Sequence, residues 1–132
     1  MDARTVYAQM LRFIHAVAQE GAVELRDFDL TPAQFQLLMQ VSRRPGVAQR
    51  QLVEDFGVTK GNISQLVKRL ENAGLLSRSR VQGSDELSVT AAGEAILSRA
   101  VPAHEAFMAE RFAALSSEEL RTLHRLLVRL SR

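Results

Sequence analysis

Between Lys60 and Arg69 the chain reads KGNISQLVKR, a run in which apolar and hydrogen-bonding side chains separate at helical spacing. At 100° per residue, Ile63, Leu66, Val67 and Leu70 share one stripe. Gly61, Gln65, Lys68 and Asn72 lie opposite, with Asn62, Ser64 and Arg69 at the margins. The polar set matches what a duplex presents. The ammonium groups of Lys60 and Lys68 suit phosphate oxygens or guanine, the amides of Asn62 and Gln65 complement adenine edges, and Ser64 is short and adaptable. Gly61 costs a helix interior about 1 kcal/mol relative to alanine, tolerable if a ligand backbone approaches closely there, and otherwise merely a loose first turn.

Such a helix needs a platform. Gln51 to Gly74 reads as a short helix, a glycine turn and a longer helix. The short one spans about Ala48–Phe56 with Leu52, Val53 and Phe56 inward; Gly57 is free to take the left-handed conformation and Thr59 caps the next helix, which Gly74 stops. Helix pairs of this kind occur in many bundles. After Leu75 the period changes from 3.6 to 2. Leu76, Arg78 and Arg80 alternate with serines, Gln82-Gly83-Ser84 makes a turn, and Leu87 and Val89 alternate with Glu86 and Ser88, which predicts a two-stranded hairpin.

Helices flank this centre. Val6, Tyr7, Met10, Leu11, Phe13, Ile14, Val17 and Ala18 predict an amphipathic helix from about Arg4 to Gln19 that stops near Gly21. Thr31, Pro32 and Gln34 open a second helix with a capping box; Phe35, Leu38, Met39 and Val41 form its buried side, and Arg44-Pro45-Gly46 ends it. Thr90 caps a fifth helix, in which Pro102 is placed to kink or interrupt the run toward Ala114. Ser116 and Glu119 form another capping box, followed by Leu120, Leu123, Leu126, Leu127 and Leu130 on one side of the last helix.

Composition narrows the classes. The 132 residues, 46% hydrophobic, suffice for one helical domain. Absence of cysteine excludes disulfides, thiolate metal sites and thiol switches. The first twenty residues hold no apolar run long enough for a signal peptide or membrane span, so a cytoplasmic protein without membrane contact is expected. Net charge is +2, yet Arg43 to Arg80 carries eight Lys or Arg against three acids, leaving the flanks at −3. Basic charge concentrates on the motif, which favours a nucleic-acid partner over a merely solvated face. His104 and His124 lie too far apart for a local ligand pair, so neither metal nor cofactor is expected. No glycine-rich phosphate loop, nucleophile motif or paired carboxylates suggest an enzyme. The same helix pair and hairpin used only for protein contacts is the alternative, weakened by the exposed polar and cationic residues Lys60, Gln65 and Lys68.

A helix-turn-helix followed by a hairpin resembles the winged-helix class, and further residues resemble the MarR family of bacterial regulators. They are Leu30 to Phe35 opening the second helix, Val58 to Glu71 on the recognition helix, Ala73-Gly74-Leu75-Leu76 entering the wing and Val89-Thr90-Ala91-Ala92-Gly93 leaving it. The resemblance spans nearly the whole chain. It implies a mainly α fold with a small β hairpin (α+β), in which 1–132 forms one domain: a winged helix-turn-helix over 31–90, with dimerisation helices at 4–20 and 91–132. It also implies a homodimeric regulator, by family habit a repressor, on a pseudo-palindromic duplex. DNA-binding candidates are Arg50, Lys60, Gly61, Asn62, Ser64, Gln65, Lys68, Arg69, Arg78 and Arg80. Similar proteins release DNA when a small aromatic or acidic effector enters between dimerising helices and winged helix; Arg12, His15, Phe35 and Met39 are the candidates here. Wings of this family carry an arginine-rich tip, whereas Val81-Gln82-Gly83-Ser84-Asp85 has no arginine.

Overall fold

The computed structural model describes residues 1–56 and 60–132; the expectations for Gly57 and Thr59 lie outside the described residues. Helix α1 spans Ala3–Leu25, a 3-10 turn covers Arg26–Phe28, and α2 spans Pro32–Arg43. Then come β1 (Val47–Ala48), α3 (Gln49–Phe56), α4 (Lys60–Asn72), β2 (Leu76–Val81), β3 (Ser84–Val89), α5 (Ala91–Arg111) and α6 (Ser117–Leu130). The fold is that of a winged helix with long flanking helices.

Local signals set most boundaries. The Thr31 hydroxyl accepts from the Gln34 N–H at 3.2 Å while the Gln34 side chain accepts from the Thr31 N–H at 3.0 Å, and Ser116 and Glu119 repeat the arrangement at α6. At Glu119 the bond from the Ser116 N–H holds the carboxyl below its ordinary value. Helix α4 ends in a Schellman turn. Gly74 (φ 77°) donates to the Glu71 carbonyl and Leu75 to that of Leu70.

Three expectations need correction. Helix α1 does not stop near Gly21 but continues to Leu25. Gly21 is buried, and a Cβ there would lie 3.5 Å from Phe107 of α5, so the glycine permits a close helix crossing instead of ending a helix. Pro102 does not interrupt α5, which is continuous to Arg111 and stops short of Ala114. A proline inside a helix costs about 3 kcal/mol. Contacts hold the helix on both sides of it: Leu97 and Ala100 are buried ahead of Pro102, and the His104 ring lies tilted against Phe35 at 4.8 Å behind it. The expected hairpin forms between β2 and β3, but a third strand widens it to an antiparallel sheet in the order β1-β3-β2, because Val47 pairs with Leu87 and Ala48 with Glu86. Two residues are too few to show a period.

One continuous core joins the layers. Phe35, Leu37, Leu38 and Val41 of α2 are fully buried with Leu52 of α3, Ile63, Val67 and Leu70 of α4, and Leu87 of β3. Leu37 was not among the expected buried residues; Met39, which was, is only half-buried. Helix α6 contributes no buried residue, and Leu120, Leu126, Leu127 and Leu130 are exposed.

The join between wing and α5 is the tightest point. The Thr90 hydroxyl accepts from the Gly93 N–H at 3.1 Å and donates to the Gly74 carbonyl at 2.7 Å. A Cβ on Gly93 would fall on the Leu75 carbonyl oxygen and Val89 Cγ1. Backbone cannot yield as a flexible side chain can. Gly93→Ala is therefore expected to destabilise by about 1 to 3 kcal/mol, as overpacking does; chemical denaturation monitored by circular dichroism measures it, and an unchanged midpoint would refute the tight join.

Candidate nucleic-acid interface

Helix α4 divides as its periodicity predicts. Ile63, Val67 and Leu70 are buried and Leu66 is half-buried, whereas Lys60, Gly61, Asn62, Ser64, Gln65, Lys68 and Arg69 are all exposed. Burial of the stripe fixes the helix's rotation, so the polar residues face away from the core together. Asn62, Gln65 and Arg69 share a cleft of about 580 Å³ with Ala33 and Gln36 of α2 and Phe56 of α3. The start of α2 thus flanks the reading face. Among the described residues no Cβ contact would arise within 4 Å at Gly61, so none of them requires glycine there.

A second cleft, about 510 Å³, separates the wing tip from α3 and the start of α4. Arg50, Lys60 and Arg80 line it, together with Glu54 and Asp85. Sequence separation gives no hint of this convergence. It brings three of the predicted cations, from three elements, to one notch.

The two wing arginines are not equivalent. Arg78 Nη2 lies 2.6 Å from Glu71 Oε1, at the end of α4, and its Nη1 lies 3.8 Å from Asp85 Oδ2. Arg80 is 69% exposed and approaches Asp85 Oδ1 at 3.4 Å. Glu71 and Asp85 were not among the sequence candidates. The signal that finds Asp85 is the hairpin register: Gln82 (φ 50°) and Gly83 (φ 79°) form a two-residue turn, which pairs Val81 with Ser84 and Arg80 with Asp85. Arg44, at the end of α2, bonds Asp55 of α3 at 2.7 Å, and this guanidinium, helped by Gln51, holds the Asp55 carboxyl below its ordinary value.

The four effector candidates do not converge. Arg12 and His15 are exposed on α1, with Arg12 bonding Gln9, while Phe35 is fully buried and Met39 lines a shallow cleft with Ser42 and Glu94. The histidine beside Phe35 is His104, not His15.

The MarR family model matches residues 28–85, from the 3-10 turn through the wing tip. An HTH-type transcriptional regulator of Bacillus cereus is 34% identical over 125 residues, covering 94% of this chain and 85% of that one. The chain belongs to the MarR family. Among solved structures, AbsC, a MarR family transcriptional regulator from Streptomyces coelicolor, superposes with a TM-score of 0.90 at 21% identity over 97% of this chain and 90% of that one. The MepR chain of an S. aureus MepR-DNA complex gives 0.85 at 20% identity over 98% and 96%. These two likenesses speak to the fold. The MarR family is one of transcriptional regulators, not of enzymes. No described helix is long and apolar enough to cross a membrane.

In this MarR-family chain the described residues leave open space around Gly61, so its cost is set by helix propensity. Gly61→Ala is expected to stabilise the fold by up to about 1 kcal/mol, seen as a higher thermal midpoint. A lower midpoint would reveal an internal contact that holds the glycine.

Proposed function

We propose that this MarR-family regulator reads a specific DNA sequence with the exposed face of α4, as a homodimer on a pseudo-palindromic site, and that it represses. The observation that carries the reading is the rotation of α4: its apolar stripe is buried and Lys60, Asn62, Ser64, Gln65, Lys68 and Arg69 are outward together. A helix that enters the major groove has to meet this condition, because base edges are reached only by side chains free of the core. Arg50 and Lys60 at the wing notch supply positive charge beside it, suited to the phosphates that flank a groove. MepR, which shares the fold, was solved bound to DNA. A winged helix that serves only protein contacts accounts less well for a cationic recognition face.

Unburied apolar surface supports the dimer. The leucines of α6 are joined by Val6, Tyr7, Leu11 and Ile14 of α1, all exposed. Between α1 and the ends of α5 and α6 lies a groove of about 530 Å³ walled by Val6, Met10, Phe13, Phe112, Leu115 and Leu123. Such surface on both terminal helices exceeds what a monomer in water leaves open. On this reading residues 31–90 form the DNA-binding region, while 4–20 and 91–132 hold the dimerisation helices. Light scattering should return twice the 14.7 kDa chain mass. A monomer at micromolar concentration would overturn the dimer.

Gel-shift titration with the duplex upstream of its own gene, at two salt concentrations, tests the DNA reading; no binding to any duplex at low salt sinks it. Within that assay, Gln65→Ala should relax sequence preference by about 1 to 3 kcal/mol at one base pair. Lys68→Ala should instead weaken all duplexes alike and reduce the salt slope by about one. Equal loss on specific and random duplexes for Gln65→Ala would contradict its base-reading role.

A further inference from the structure

The wing from Leu76 to Val89 carries Arg78 and Arg80 against Asp85 and Glu86, so it has no net charge. Helix α4 by contrast carries Lys60, Lys68 and Arg69 against Glu71. The placement of the wing charges matters more than their number. Asp85 is three-quarters buried at its side chain and divides its two oxygens between the arginines of the opposite strand: Oδ1 lies 3.4 Å from Arg80 and Oδ2 lies 3.8 Å from Arg78. Arg78 is held from its other side by Glu71 at 2.6 Å.

We propose that Asp85 is a specificity-determining residue of DNA binding, acting by neutralising the wing's arginines so that sequence discrimination is left to α4. The inference rests on the DNA-reading function proposed above. Its physics is that of counterion release. Each phosphate neutralised by a free cation releases condensed counterions and adds affinity for every sequence alike, about 0.9 to the slope of log K against log salt. Arg80, at 69% exposed, is placed to reach a phosphate at the wing notch, but the carboxylate 3.4 Å away repels the same phosphate. The wing therefore adds shape and little indiscriminate attraction. Arg78, clasped between Glu71 and Asp85, acts as a strut that ties β2 to the end of α4, and so is a positioning residue.

The test uses full-length protein, the duplex upstream of its own gene and a random duplex of equal length, each titrated over a series of salt concentrations. Asp85→Asn should bind the random duplex several-fold tighter, steepen both salt slopes by about 0.9, and narrow the ratio between the two duplexes. Adding Arg80→Gln to Asp85→Asn should return the slopes to those of the parent chain. A folded Asp85→Asn protein with unchanged slopes and ratio, or with weaker binding to both duplexes, would overturn the proposal. Should Asp85→Asn fail to fold, the exchanged pair Arg80→Asp with Asp85→Arg keeps the cross-strand contact and the net charge; it should keep the parent slope, and a changed slope would refute charge cancellation. A parent chain that binds neither duplex at low salt would sink the DNA reading itself, an outcome distinct from parent binding with no effect at Asp85.

Discussion

Burial of Ile63, Val67 and Leu70 in the shared core against α2, α3 and β2 is the interaction on which the rest depends. These three side chains reach zero or one per cent exposure, so α4 has one rotation that leaves no apolar stripe in water. Burying a side chain of this size stabilises by about 1.5 to 3 kcal/mol. No polar contact on the outer face competes with three such terms. The reading face is thus a consequence of packing on the opposite side.

The wing depends on the same core through a few polar and steric joins. Leu75 and Leu76 are buried where α4 gives way to β2, and Leu87 anchors β3 at its centre. The chain then turns into α5 over Gly93, whose missing side chain lets the helix sit on the Leu75 carbonyl. Glu71 to Arg78 bridges helix and strand at the front of the same corner. A corner tied by backbone contact, a cap and an ion pair fixes the distance between wing and recognition helix. That distance shapes the notch in which Arg50, Lys60 and Arg80 meet.

Outside this module the chain follows a different logic. Helix α6 is well capped, carries a strong leucine stripe and buries none of it. Helix α1 buries Gly21 and Leu25 near its end while leaving Val6, Tyr7, Leu11 and Ile14 exposed near its start. A helix that folds without covering its apolar side keeps an incentive to find more surface. One end of the molecule thus offers charge and hydrogen bonds, and the terminal helices offer apolar area.

Local chemistry was legible in the sequence wherever a short-range rule governs it. Thr31 with Gln34 and Ser116 with Glu119 cap their helices as spacing alone requires, and the stripe of α4 is readable because its period is met at every position. What escaped reading depends on partners distant in the chain. Gly21 looks like a helix stop until Phe107 is seen against it, and Pro102 looks like a break although α5 runs on past it, with His104 packed against Phe35 of α2. Val47 and Ala48 become a strand only because β3 offers them an edge. The wing arginines look alike in sequence. Only the register set by Gln82 and Gly83 places Asp85 between them, because a two-residue turn decides which side chains face each other across the strands.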